Sequence, residues 1–205
     1  MMETQASTGN TPMREKPPRP AKVLLLGDPG LRKNCRPVDD VSNSDFRFYR
    51  DRLHATLEAF RAKHGFGRAI SAPQIGVPLR FIAVNLGNQA FTMINPEITW
   101  CSRETFTMWD DCMSFPLLLV RVRRHCAISV RYLDERGNIK VMDKADQATS
   151  ELLQHEIDHL NGILALDHAL DREAIVSREV FEENPESFAA KADYVIAAGV
   201  SNDVN

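Results

Sequence analysis

A chain of 205 residues that is 43% hydrophobic and 26% charged can bury one sizeable core, and its net charge of -3 argues against a nucleic-acid surface. Four scattered cysteines do not make a disulfide framework, which points to an intracellular, cytoplasmic protein. The longest apolar runs are strand-sized, so no membrane span is expected.

Residues 1–20 are polar, with prolines at 17, 18 and 20, and are expected to form a disordered leader. Glu3 and Glu15 have the wrong sign for an organelle-targeting leader, although an organellar destination stays open for a eukaryotic source. From Ala21 the chain becomes structured. Val23–Leu26 reads as a short strand stopped by the turn Gly27-Asp28-Pro29-Gly30. Asn43-Ser44-Asp45 caps a helix whose apolar positions Phe46, Tyr49, Leu53, Leu57 and Phe60 keep helical spacing up to His64-Gly65. His54 and His64 on that helix read as surface polarity. The small-residue stretch from Gly67 to Gly76 would let a backbone approach a ligand closely, with Gln74 offering its amide, and is equally compatible with a tight helix-to-strand turn.

Strand-like runs follow at Arg80–Asn85, Phe91–Ile94, Glu97–Trp100, Cys126–Leu133 and Asn138–Met142, the last two joined as a hairpin at Asp134-Glu135-Arg136-Gly137. Cys35, Cys101 and Cys126 read as small buried hydrophobes. Cys112, beside Asp110 and Asp111 and before Met113-Ser114, looks less like core.

Asp143 is placed to cap a helix running to about Leu160, stopped by Asn161-Gly162. On it His155 and His159 return to nearly the same face, separated by a rise of about 6 Å, so both imidazoles can bind one metal ion. Glu156 lies one step round and can reach a metal-bound water. His-Glu-x-x-His therefore reads as two ligands and a general base for metal-assisted hydrolysis. The third ligand comes from elsewhere: after Gly162 the position where some metalloprotease families carry a third histidine holds Ala165, and His168 is off that spacing, while four cysteines are available. Beyond Asp171 the chain has helical character (Ile175, Val180, Phe181, then Phe188 to Ala198) and reads as an extension for packing or a partner.

Ala-Pro-Gln-Ile-Gly at 72–76, Cys112-Met113-Ser114, and Gln154-His155-Glu156-Ile157-Asp158-His159-Leu160-Asn161-Gly162, in this order, resemble the peptide deformylase family, with similarity from about Lys22 to Asp167. The resemblance implies that Cys112, His155 and His159 hold one divalent metal, that Glu156 moves the proton, and that Gln74 and the backbone N–H of Met113 stabilise the oxyanion. It favours Fe(II), with Zn(II), Ni(II) or Co(II) as alternatives, and brings a formylmethionyl peptide as substrate and the ribosome as a partner. Gly67, Arg68, Ala69 and Asp111 fall where the family's substrate groove would lie. The chain departs from the family pattern at Ala69 and Ser71, usually Gly and Ala, and at Asp110-Asp111, usually Glu-Gly. Met113 stands for Leu, and Arg68 for an apolar residue. With Glu151 one helical turn before His155, these charges are expected to narrow or re-aim the side-chain pocket.

The fold implied is α+β, with short antiparallel or mixed sheets around a central metal-binding helix, a catalytic unit over 21–170 and a helical extension over 171–205. The function implied is removal of the N-formyl group from the N-terminal methionine of newly made chains, with a metal-bound water as nucleophile and Glu156 as general base and acid. Alternatives are an amide hydrolase of another acyl-peptide and a non-catalytic metal-binding protein, against which the intact Glu156 stands.

Overall fold

The computed structural model describes residues 18–87 and 89–195. Most of the leader and the last part of the expected terminal helix lie outside the described residues. The first helix, α1 (Ser44–His64), begins where the Asn43 side chain accepts the N–H groups of Asp45 and Phe46, and ends on Gly65 at φ 77°. Its buried Phe46, Leu53 and Leu57 pack on Ile70, Phe81 and Ile94. His64 is exposed, as expected. His54 is not surface polarity: it is half-buried, its Nε2 lies 2.8 Å from the Thr92 hydroxyl, and burial lowers its pKa.

Eight strands follow: β1 (Ala69–Ser71), β2 (Phe81–Val84), β3 (Phe91–Cys101), β4 (Thr105–Asp111), β5 (Leu118–His125), β6 (Ile128–Leu133), β7 (Ile139–Ala145) and β8 (Ile175–Ser177). They form an antiparallel five-stranded sheet in the order β1-β2-β3-β6-β7 and an antiparallel three-stranded sheet, β4-β5-β8. The β6–β7 hairpin turns at Asp134–Gly137, as its composition predicts. The two runs at 91–94 and 97–100 are one strand, because Asn95 takes φ 51° and absorbs the irregularity while its side chain bonds both backbone groups of Val38. The pairing of β4 with β5 was not anticipated, and it flanks the Cys112 turn. Val23–Leu26 is extended but joins no sheet: the N–H of Leu24 goes to the Gln74 carbonyl and that of Leu26 to the Ser114 carbonyl, both at 2.8 Å. That segment therefore laces two turns together instead of forming a strand. Cys35 is buried, whereas Cys101, at the end of β3, is exposed and Cys126 is half-buried.

Helix α2 (Gln147–Leu160) is capped by Asp146, whose carboxylate accepts the Thr149 N–H at 2.8 Å; Asp143 instead lies in β7 and accepts the Ser129 hydroxyl. The helix starts three residues later than expected because β7 runs on to Ala145. Leu152, Leu153, Ile157 and Leu160 sit in a core with Ile82, Val84, Met93, Ile128 and Val130 of the larger sheet. Each such side chain contributes about 1.5–3 kcal/mol on burial, enough to fix the helix's rotation and so the direction in which its histidines point. Asn161 and Gly162 end it. Gly162 has φ 71°, and a Cβ there would stand 2.6 Å from the Arg32 carbonyl oxygen, so only glycine lets the chain pass.

Past Asp171 the chain first adds β8 to β5, so Ile175 is in a strand and not a helix, standing opposite Val120. Two short helices follow, α3 (Arg178–Glu183) and α4 (Pro185–Ala189). Phe181 and Phe188 from them enclose Trp109 of β4, whose indole N–H donates to the Phe188 carbonyl at 2.8 Å. Among the described residues no helix is long and apolar enough to cross a membrane.

Candidate active site

Because α2 runs between the two sheets, its polar side chains are buried with its apolar ones. His155 and His159 come together with Cys112 from the turn after β4, and their ligand atoms all lie within 4.8 Å of one another. Nε2 of His159 is 3.2 Å from Nε2 of His155 and 3.2 Å from Cys112 Sγ. Three buried atoms with lone pairs thus face one point. A thiolate and two imidazoles suit a soft or borderline divalent cation and leave a further coordination position, as a hydrolytic site requires.

The His155 Nδ1–H donates to the Asp110 carboxylate at 3.0 Å, which turns Nε2 toward the cluster. Asp110 also receives Arg124 Nη2 at 3.1 Å, and Arg124 Nη1 reaches Asp158 at 2.5 Å. Burial alone would raise the Asp110 pKa, but His155 and Arg124 outweigh it and hold the carboxyl well below the usual range. The aspartate is therefore an anion throughout the working pH range.

Glu156 is buried beside the histidines. Ser71 at the end of β1 donates its hydroxyl to the Glu156 carbonyl at 2.8 Å and also to the Glu156 carboxylate. Burial raises the Glu156 pKa, while His155 and the Ser71 hydroxyl pull it down. Gln74, in the 3-10 turn Ala72–Ile75, accepts the Ser71 N–H at its Oε1 and so directs its NH2 toward Cys112 Sγ, 3.6 Å away, and Ser114 Oγ, 3.3 Å away. The backbone N–H of Met113 makes no hydrogen bond with any of the described residues. Two donors and a carboxylate therefore border the cluster.

The charges expected in the groove are present but paired. Arg68 reaches the Glu151 carboxylate and donates to the Ala148 carbonyl at 2.8 Å, on the turn of α2 before His155. Burial raises the Glu151 pKa to about 7, against the opposing effect of Arg68. Asp111 pairs with Arg178 at 2.9 Å. Gly67 and Ala69 flank Arg68, and a Cβ at Gly67 would stand 3.0 Å from the Met113 methyl. Arg124 and Arg178 escaped the reading of the sequence, which named Ser71 and Asp110 only as departures from the family pattern. Arg124 had a signal: in β5 it shares the inward register of Val120 and Val122, where a charge needs a buried partner.

Fold and site together define the class as a hydrolase whose buried Cys-His-His group, two members on one helix, has the spacing of metal ligands. The comparisons agree. The family model for polypeptide deformylase matches residues 20–174. A peptide deformylase of Thermotoga neapolitana is 33% identical over 160 residues, 77% of this chain and 92% of its own. The crystal structure of a Synechococcus elongatus peptide deformylase in complex with actinonin superposes with a TM-score of 0.69 at 25% identity, covering 91% of this chain and 95% of the other. The Met-Ala-Ser bound structure of a class I type b peptide deformylase from Acinetobacter baumannii gives 0.64 at 28% identity, covering 73% and 98%. The chain belongs to the peptide deformylase family, and it is an enzyme, a hydrolase that removes formyl groups from peptides.

Replacing Arg124 by Leu leaves the Asp110 and Asp158 carboxylates without their cation. The expected loss of stability is about 3–5 kcal/mol by urea unfolding, together with about 10- to 100-fold weaker zinc binding in a chelator competition. A loss below about 1 kcal/mol with unchanged metal affinity would contradict the network's role.

Proposed function

We propose that this enzyme removes the N-formyl group from the N-terminal methionine of newly made polypeptides, in the cytoplasm where such chains are made. The observation that carries the reading is the convergence of Cys112, His155 and His159 beside Glu156 and Gln74. Cys112 Sγ and the Nε2 atoms of both histidines would hold one divalent ion, Fe(II) by family likeness, with Zn(II), Ni(II) and Co(II) compatible with the same ligands. When bound, the metal supplies Lewis acidity and a water acidic enough to react near neutral pH.

The rest is done by the chain itself. Glu156 accepts the proton of the attacking water at its carboxylate and passes it to the amine nitrogen as the formyl C–N bond breaks. Water's oxygen leaves in formate. A raised pKa suits this double duty, and the Ser71 hydroxyl keeps the carboxylate oriented. The Gln74 amide and the Met113 N–H are available to the formyl oxygen as it gains charge, a contribution of roughly 100- to 1000-fold per donor. β1 is an edge strand of its sheet, which supports Gly67–Ala69 as the backbone along which an extended peptide lies. The Acinetobacter relative solved with Met-Ala-Ser is in keeping with a peptide that begins with methionine.

Formate release from formyl-Met-Ala-Ser by Fe(II)-loaded protein, kept from oxygen, tests the reading. Glu156→Ala is expected to keep one metal per chain and lose at least about 100-fold in kcat, the scale of general acid–base catalysis. Equal turnover in the variant would remove Glu156 from the chemistry.

A second reading is favoured by one observation, the Arg68–Glu151 pair one turn from His155. It makes the enzyme a deformylase-like hydrolase of a different acyl-peptide. A series of formyl peptides varied at the first residue separates the two. The first reading expects Met to exceed Lys or Glu by at least about tenfold in kcat/KM, since an apolar side chain placed in an apolar pocket is worth about 1–3 kcal/mol. A ratio near one, or inverted, would establish the second.

A further inference from the structure

Asp111 is the last residue of β4 and stands directly before Cys112, and its partner Arg178 lies four residues beyond the stretch matched by the family model. Arg178 does more than neutralise it. Nη2 donates to Asp111 Oδ2 at 2.9 Å, Nε donates to the Pro116 carbonyl at 2.7 Å, and the Arg178 backbone N–H donates to the Leu117 carbonyl at 2.8 Å. One residue therefore grips the turn Cys112–Phe115 at both ends, the turn that carries the thiol and the Met113 N–H. On its other side the guanidinium carbon lies 5.7 Å from the centroid of the Phe66 ring, in the loop that leads through Gly67 into β1. The two sides of the cleft also come close at Gly67, where an added Cβ would stand 3.0 Å from the Met113 methyl. β8 delivers Arg178 to this place by pairing Ser177 with Leu118. Among the described residues the other ion pair of Arg178 is with Glu182, at 4.0 Å and largely exposed.

We propose that Arg178 is a positioning residue of the active site. It clamps the Cys112–Phe115 turn against the Phe66 loop and so holds the thiol and the Met113 N–H in place relative to Glu156 and Gln74. A planar fork suits this, because it offers Nε and Nη2 in fixed directions to a carboxylate and a carbonyl at once; a lysine ammonium cannot reproduce both. Loss of the fork frees the turn and leaves Asp111 as an unpaired anion next to the thiol. This proposal rests on the deformylase reading for its kinetic arm only.

The test combines Arg178→Ala, Arg178→Lys, Asp111→Asn and the double variant Asp111→Asn/Arg178→Ala with two readouts. Hydrogen exchange of the turn's hydrogen-bonded amides, Ser114, Phe115 and Leu118, is expected to quicken by about tenfold or more in both Arg178 variants, with exchange in α2 unchanged, because a local opening is uncoupled from global unfolding. kcat on formyl-Met-Ala-Ser is expected to fall by about tenfold with KM changed less than about threefold. The double variant should be no slower than Arg178→Ala alone, the non-additivity of groups acting as one unit. Arg178→Lys keeps the charge and guards against simple failure to fold. Unchanged exchange in the turn, or losses in the two single variants that multiply in the double, would overturn the proposal. Quickened exchange in a protein whose wild type releases no formate would leave the clamp standing and count against the deformylase reading instead.

Discussion

A helix buried on nearly every side must have each of its polar side chains satisfied from the elements around it. In α2, Ser150, Glu151, Gln154, His155, Glu156 and His159 are all buried, and all but His159, whose Nδ1 has no hydrogen-bond partner among the described residues, are paired with a neighbouring element. Their partners come from several directions. Ser150 and Gln154 bond the backbone of His125; Glu151 meets Arg68; His155 meets Asp110; Glu156 meets Ser71. Leaving any one unpaired costs about 1–3 kcal/mol, and more for a charge. The helix therefore dictates where both sheets must sit, because β1 brings Ser71, β4 brings Asp110 and β5 brings Arg124. His155 and His159 share a point with Cys112 as a by-product of the same constraint.

The buried Asp110–Arg124–Asp158 arrangement is better understood as orientation than as stability. A buried ion pair often gains little over well-packed apolar side chains, because desolvation offsets the attraction. What it does achieve is a fixed anion at His155 Nδ1, and hence a defined tautomer and ring angle at the ligand nitrogen. The same logic extends to the groove. Arg68 is paired with Glu151 and Arg178 with Asp111, so these side chains are held against each other and act on the shape of the cleft.

Much of this was legible in the sequence. The helical spacing of Phe46, Leu53 and Leu57 marked α1, the Asp134–Gly137 turn marked its hairpin, and His155-Glu156 with His159 marked the side chains that α2 carries to the cluster. The β4–β5 pair was hidden because its alternation is broken by charge: Arg124 in β5 and Asp110 in β4 are buried as an ion pair, although in register they face Phe106 and Val120. The partner of a buried charge lies far along the chain, 34 residues for Arg124 and Asp158 and 83 for Arg68 and Glu151, and no local rule reveals it. For the same reason Asp111 read as a free anion in the groove. Its neutralising partner comes from the segment past residue 171, which periodicity marked as helix and which first forms a strand.

The central claim is that Cys112, His155 and His159 jointly hold a single ion. Loading the protein with Co(II) and recording its absorption spectrum tests this most directly, because a cobalt–thiolate bond produces a charge-transfer band that imidazole ligation does not. The account predicts one Co(II) per chain with that band present, and its loss in Cys112→Ala. A band that persists without Cys112, or its absence from the wild-type protein at full cobalt occupancy, would contradict it.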